Sequence, residues 1–182
     1  MPAIFKEYIE TKLVEQKDEV RGFIATVVKP ENLDLGVEIH DKYIRAIPKA
    51  LSIFSKLVLD TAAREEIRSY FSLVIAYILE PDNFLRKNVP SMVGLLDNAY
   101  VLHSALEITI NYLDENVKSE FAEDLELMKP IFEFNPIIKK FIPPHILNRQ
   151  EVIIHYLEKL LDIKSSLRER PIFILPPMEK TE

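Results

Sequence analysis

Residues 62–79 read AAREEIRSYFSLVIAYIL, and the reading of this stretch decides the fold. Ile67, Tyr70, Phe71, Val74, Ile75, Ile78 and Leu79 recur at helical spacing and cover a wide apolar face, which predicts a helix at the centre of the molecule. After a proline-punctuated loop over 80–90, Leu95, Leu102, Ala105, Leu106, Ile110 and Leu113 repeat the pattern in a second long helix, from Ser91 or Leu95 to Asn116. The two form an apolar helical hairpin over about 62–116.

Outward from this hairpin, the spacing predicts a first helix over 3–28 with Ile9, Leu13, Val20, Ile24 and Val27 on one stripe, interrupted midway by Gln16 and Lys17. Lys29-Pro30 ends it, because a residue before proline is pushed out of the helical region. Asp34 is placed to cap the next segment, with Val37, Tyr43, Ile44 and Ile47 on its face, and Pro48 kinks it or starts another helix. Leu51, Phe54, Leu57 and Val58 define a helix over 49–60. Beyond 116, Pro130 breaks an acidic stretch, Asn135-Pro136 has the form of a cap followed by proline, and Asn148 with Glu151 forms a capping box for a helix to Arg168. No stretch alternates as a strand does. The expected fold is all-α, a single-domain bundle of about six to eight helices over 1–170, followed by a tail over 171–182.

Composition narrows the function classes. The chain has 182 residues, three glycines and no cysteine. Gly22, Gly36 and Gly94 are too far apart for a dinucleotide fingerprint or a phosphate loop, both of which need clustered glycines. Without cysteine there is no disulfide, thiolate metal site or thiol nucleophile. No Gly-x-Ser-x-Gly elbow occurs. The apolar run Phe71 to Leu79 falls short of the roughly 20 residues of a membrane span, and the N-terminal segment lacks the apolar core of a signal peptide. The expected location is cytoplasmic.

The net charge of −6 is concentrated: bases against acids number 9 to 10 over 1–60, 6 to 12 over 61–130 and 8 to 7 over 131–182. Between Glu107 and Glu126 stand seven acids and one base, Lys118, a surface that repels a phosphate backbone and argues against nucleic acid as a partner. The stretch reads as a solvated acidic surface, or as a docking face for a basic partner.

Two polar stripes supply metal-ligand chemistry. Glu151, His155, Glu158 and Asp162 follow one face of the last helix, and His103, Glu107, Asn111 and Asp114 one face of the helix after the loop. Facing one another, His103, Glu107, His155 and Glu158 would make a mixed imidazole and carboxylate site of the kind helical bundles use for zinc, manganese or iron. His40 and His145 have no such neighbours in sequence. In the tail, Ile172, Phe173, Ile174 and Leu175 lie between prolines and read as self-docking or as a partner contact.

The segment from Tyr77 to Ala99 resembles the signature of the YkvA-like family, in which an apolar helix ending in Tyr-Leu-Leu-Ser-Pro leads through a loop to Ile-Pro, a glycine and an Asp-Asp pair opening the next helix. Tyr77, Pro81, Val89, Pro90, Gly94, Leu96, Asp97 and Ala99 match. Asn83, Arg86, Lys87 and Asn98 depart from it, mostly at its acidic positions, and one extra residue stands between Pro90 and Gly94. The resemblance covers about 65–113 and implies a helical hairpin. Independently of it, Pro81, Pro90 and Gly94 set a sharp reversal between the two helices, Asp97 is placed to cap the second or to favour its positive end, and Gly94→Val is the substitution expected to disturb the hairpin most. The resemblance also implies frequent membrane association and no reaction. Because no concentrated catalytic site stands out and the tail carries the apolar run 171–177, the expected function is a non-enzymatic interaction or scaffold protein, through a protein partner or self-association and without a cofactor. The alternatives are a metal-binding bundle or metal-dependent enzyme, and a peripheral membrane protein that does not span the bilayer.

Overall fold

The computed structural model describes residues 2–59, 65–79 and 91–168, and within them the chain is helical with no strand. In chain order the helices are α1 Pro2–Glu15, α2 Lys17–Ala25, a 3₁₀ turn Pro30–Asn32, α3 Leu33–Arg45, α4 Ile47–Leu59, α5 Glu65–Leu79, α6 Ser91–Gly94, α7 Leu96–Ile110, α8 Glu115–Glu120, α9 Ala122–Phe132, α10 Asn135–Ile138 and α11 Pro144–Arg168. Eight of these have nine residues or more, and all pack into one domain, as the periodicity predicts.

The centre of the bundle is α7 rather than α5. Helices α3, α4, α5, α9, α10 and α11 all pack against α7, and it is buried on nearly every side. The predicted order is inverted because α5 is two-faced. Ile67, Tyr70, Phe71 and Val74 point inward, while Ser72 and Ala76 face solvent beside Leu73, which is 51% exposed. Several buried polar residues of α7 bond locally: Thr109 Oγ1 donates to the Ala105 carbonyl at 2.7 Å, and the Asp97 carboxylate accepts the Asn98 N–H at 2.7 Å. A helix need not be apolar all round to be buried if its polar groups find partners inside. The predicted hairpin is present, with α5 packed on both α7 and α4 and the Phe54 and Phe71 rings edge to face at 4.3 Å.

Several predicted boundaries move, each for a local reason. The single helix over 3–28 is two, broken at Gln16, where the apolar stripe lapses; the Gln16 Oε1 accepts the Met92 backbone N–H at 3.1 Å and ties the break to α6. Asp34 does not cap α3 but lies in its first turn and pairs with Arg21 at 2.6 Å, where the carboxylate still favours the positive helix end. The second hairpin helix stops at Ile110, six residues short of Asn116. Pro130 lies inside α9, two residues before that helix ends, instead of breaking the stretch. Instead of a capping box at Asn148, α11 begins at Pro144, a proline in the first turn where its missing N–H costs nothing. Pro48 likewise opens α4.

Glycine spacing acquires a meaning that sequence does not show. A Cβ on Gly36 would sit 2.8 Å from Ile24 Cγ2, so this glycine lets α3 approach α2 closely, whereas nothing lies within 4 Å of a Cβ on Gly22. Neither glycine has a positive φ, so packing rather than backbone freedom selects Gly36.

Candidate functional site

An open groove of about 660 Å³ runs between α7 and the α9–α10 corner. One wall is a single stripe of α7, Tyr100, Ser104, Glu107 and Ile108, spaced by three and four residues so that all face one way. The other wall is Lys129, Phe132 and Glu133 of α9 and its end, then Asn135, Pro136 and Lys139 around α10. The aromatic and aliphatic carbons of Tyr100, Ile108, Phe132 and Pro136 make the apolar part.

Beneath the groove lies a buried chain of hydrogen bonds. The Tyr43 hydroxyl, from α3, donates to Asn135 Oδ1 at 2.5 Å, and Asn135 Nδ2 donates to Glu107 Oε2 at 2.7 Å. A carboxylate accepts and the amide oxygen accepts, so the direction of the chain is fixed and the hydrogen runs from tyrosine toward glutamate. Burial pushes the Tyr43 phenol well above its ordinary pKa, with the Tyr100 phenol and the Glu107 charge adding to the effect. Glu107 is exposed, so one carboxylate oxygen is held from below and the group is presented to the groove.

His103 stands behind this chain. Its ring meets Tyr43 edge to face with centroids 4.5 Å apart, and its Nε2 lies 3.0 Å from the Tyr43 carbonyl oxygen. A carbonyl only accepts, so Nε2 carries the hydrogen and Nδ1 holds the lone pair. Burial pushes the imidazole down to about 4, partly countered by that carbonyl bond, so it is neutral at pH 7. At the other end of the groove Lys139 bonds Glu151 at 2.7 Å and reaches over the Tyr100 ring, 5.9 Å from its centroid. The Glu151 bond raises the Lys139 ammonium pKa, and burial raises that of Tyr100.

The four metal-ligand candidates are not brought together. His103 faces the core, Glu107 faces the groove and Asn135, and His155 is an exposed residue 3.9 Å from Glu158 on the outside of α11. The two stripes diverge because their members are engaged elsewhere, Glu151 with Lys139 and Asp162 with the Tyr112 hydroxyl. Among the described residues no three His, Asp or Glu side chains converge as a metal site. His40 is fully buried, with Nδ1 3.4 Å from Asp41. Six of the seven acids between Glu107 and Glu126 are exposed, as a solvated acidic surface requires, and Asp124 alone is half-buried. Asp124 bridges to Lys49 and, at 3.1 Å, to Lys56, and the Lys49 bond holds its carboxyl below the ordinary value.

Of the family-like residues, Gly94 is buried at the end of α6, Asp97 is buried in the first turn of α7 and Tyr77 lies in α5, while Pro81 and Pro90 lie outside the described residues. Ile172, Phe173, Ile174 and Leu175 also lie outside them. Sequence reading missed Tyr43, Tyr100, Lys139 and the true role of Asn135. Only the α7 members of the groove carried a local signal, the spacing of Tyr100, Ser104, Glu107 and Ile108, which a reader looking for apolar stripes passes over.

Comparison with known proteins finds no matching family model, no matching curated protein and no matching solved structure. Among the described residues, no helix is long and apolar enough to cross a membrane.

Proposed function

We propose that this is a non-enzymatic interaction protein that binds a segment of another protein in the groove between α7 and the α9–α10 corner. The observation that carries the reading is the combination of an open, partly apolar groove with a carboxylate, Glu107, held in place by the buried Asn135 and Tyr43. A rigid wall with one oriented polar group suits recognition, since little ordering entropy is lost when a partner docks. The polar groups beneath the groove support recognition more than acid–base work. His103 is neutral and faces a backbone carbonyl, and the Tyr43 proton is committed to Asn135. The resemblance to the YkvA-like family enters only as the α5–α7 hairpin on which the groove is built.

The test is a groove-blocked variant. Ile108 is half-buried in the wall, and Ile108→Arg places a long charged side chain across the groove. Cross-linking in the native cell followed by mass spectrometry should lose its main cross-linked partner in this variant and keep it in Glu19→Gln, an exposed change on α2. An unchanged cross-link pattern in Ile108→Arg, with circular dichroism showing an intact fold, overturns the proposal.

A further inference from the structure

We infer that the segment docking in the groove is basic, with apolar residues spaced between its Lys or Arg side chains, an inference that rests on the interaction reading above. The charges at the groove do not balance. Its two lysines already have acidic partners outside it, Lys129 with Glu126 and Lys139 with Glu151. Its two carboxylates do not: Glu107 is bonded by a neutral amide, and among the described residues neither Glu107 nor Glu133 forms an ion pair with a Lys or Arg. The groove therefore presents uncompensated negative charge beside an apolar lining.

An acidic or neutral peptide would bury its apolar side chains there and leave both carboxylates opposite nothing. A basic one would meet each with a cation. Glu107 contributes more than its charge because Asn135 Nδ2 fixes one of its oxygens, so the other is presented in one direction and a guanidinium or ammonium loses little freedom in reaching it. Glu107 comes from α7 and Glu133 from the end of α9, so the two carboxylates stand on opposite walls, with Ile108, Phe132 and Pro136 among the apolar lining. A segment lying along the groove would then place cations to both sides and apolar residues beneath. The surrounding acidic surface of 107–126 would speed its approach, an effect that falls with salt.

The experiment is fluorescence anisotropy with three labelled synthetic peptides of equal length: an amphipathic Leu/Lys peptide, its Leu/Glu twin, and a Lys/Ser peptide with the same charge and no apolar residues. The full-length protein should bind the Leu/Lys peptide best. Glu107→Gln, which can still accept the Asn135 bond, and Glu133→Gln should each weaken it by roughly fivefold, and Glu19→Gln, which removes the same charge from α2, by less than about twofold. Equal weakening by all three variants, or equal binding of the Lys/Ser peptide, reduces the effect to net charge and overturns the inference. Equal binding of the Leu/Glu twin overturns it too. If the protein truncated after Arg170 binds the Leu/Lys peptide more than about tenfold tighter than the full chain, the occupant is the chain's own tail and the inference falls. Should no peptide bind while Ile108→Arg still removes the cellular cross-link, the charge argument fails and the interaction reading stands. Loss of neither overturns both.

Discussion

Asn135 and Tyr43 are 92 residues apart in sequence and joined by a 2.5 Å hydrogen bond in the core, with the tyrosine hydroxyl donating. Because the same amide donates to Glu107, one side chain couples α3, α7 and α10 and orients the groove carboxylate. Removing the amide strands two groups at once. Asn135→Ala should destabilise the protein by about 2–4 kcal/mol in urea unfolding, since a buried hydroxyl is left unpaired and a carboxylate loses its donor. Tyr43→Phe should cost about 1–2 kcal/mol, and the double variant less than the sum, the mark of a shared network.

His103 makes stability depend on pH in a defined window. Its folded pKa, about 4, lies below the ordinary 6.5, so between these values the unfolded chain binds a proton that the folded chain refuses. Its contribution is complete above pH 6.5 and is lost as the pH falls toward 4, on the order of 3 kcal/mol across the window. His103→Gln should flatten the curve of unfolding free energy between pH 4 and 6.5. An unchanged slope would mean that the imidazole is not held neutral.

The buried phenols act at the opposite end. Burial pushes the hydroxyls of Tyr43 and Tyr70 above the usual tyrosine value, so above pH 10 the unfolded chain gives up protons that the folded chain keeps, and stability falls as the pH rises. Spectrophotometric titration at 295 nm should show these two ionising only together with unfolding, and Tyr70→Phe should move the alkaline unfolding midpoint upward.

Two alanine substitutions at glycine should have opposite signs. Gly22 is exposed in the interior of α2 with open space where a Cβ would go, so Gly22→Ala should raise stability by about 0.5–1 kcal/mol. At Gly36 the new methyl meets the Ile24 side chain, fully buried and stiff at χ1, and Gly36→Ala should cost about 1–3 kcal/mol despite its better helix propensity. Thermal unfolding of the two variants side by side checks the pair.

The sequence by itself determined that the chain is helical, where most helices lie, and that α5 and the following helix form a hairpin. Those features follow from apolar spacing and from prolines, both of which act within a few residues. Lys29-Pro30 and Pro48 mark real boundaries for that reason, whereas Pro130 sits within α9 and α11 starts at Pro144, ahead of Asn148, in the first turn that a proline favours. Which helix is innermost was not legible: α5 has the stronger apolar face, yet α7 is central because Thr109, His103 and Asp97 find bonds inside the fold. The groove was illegible for the same reason. Its walls come from α7 and the α9–α10 corner, its carboxylate is held by an asparagine that reads as a helix cap, and that asparagine is held by a tyrosine of α3. Local spacing specifies which residues share a helix face. Only packing decides which faces meet, and hydrogen bonds between residues far apart in sequence then decide what a polar side chain is for.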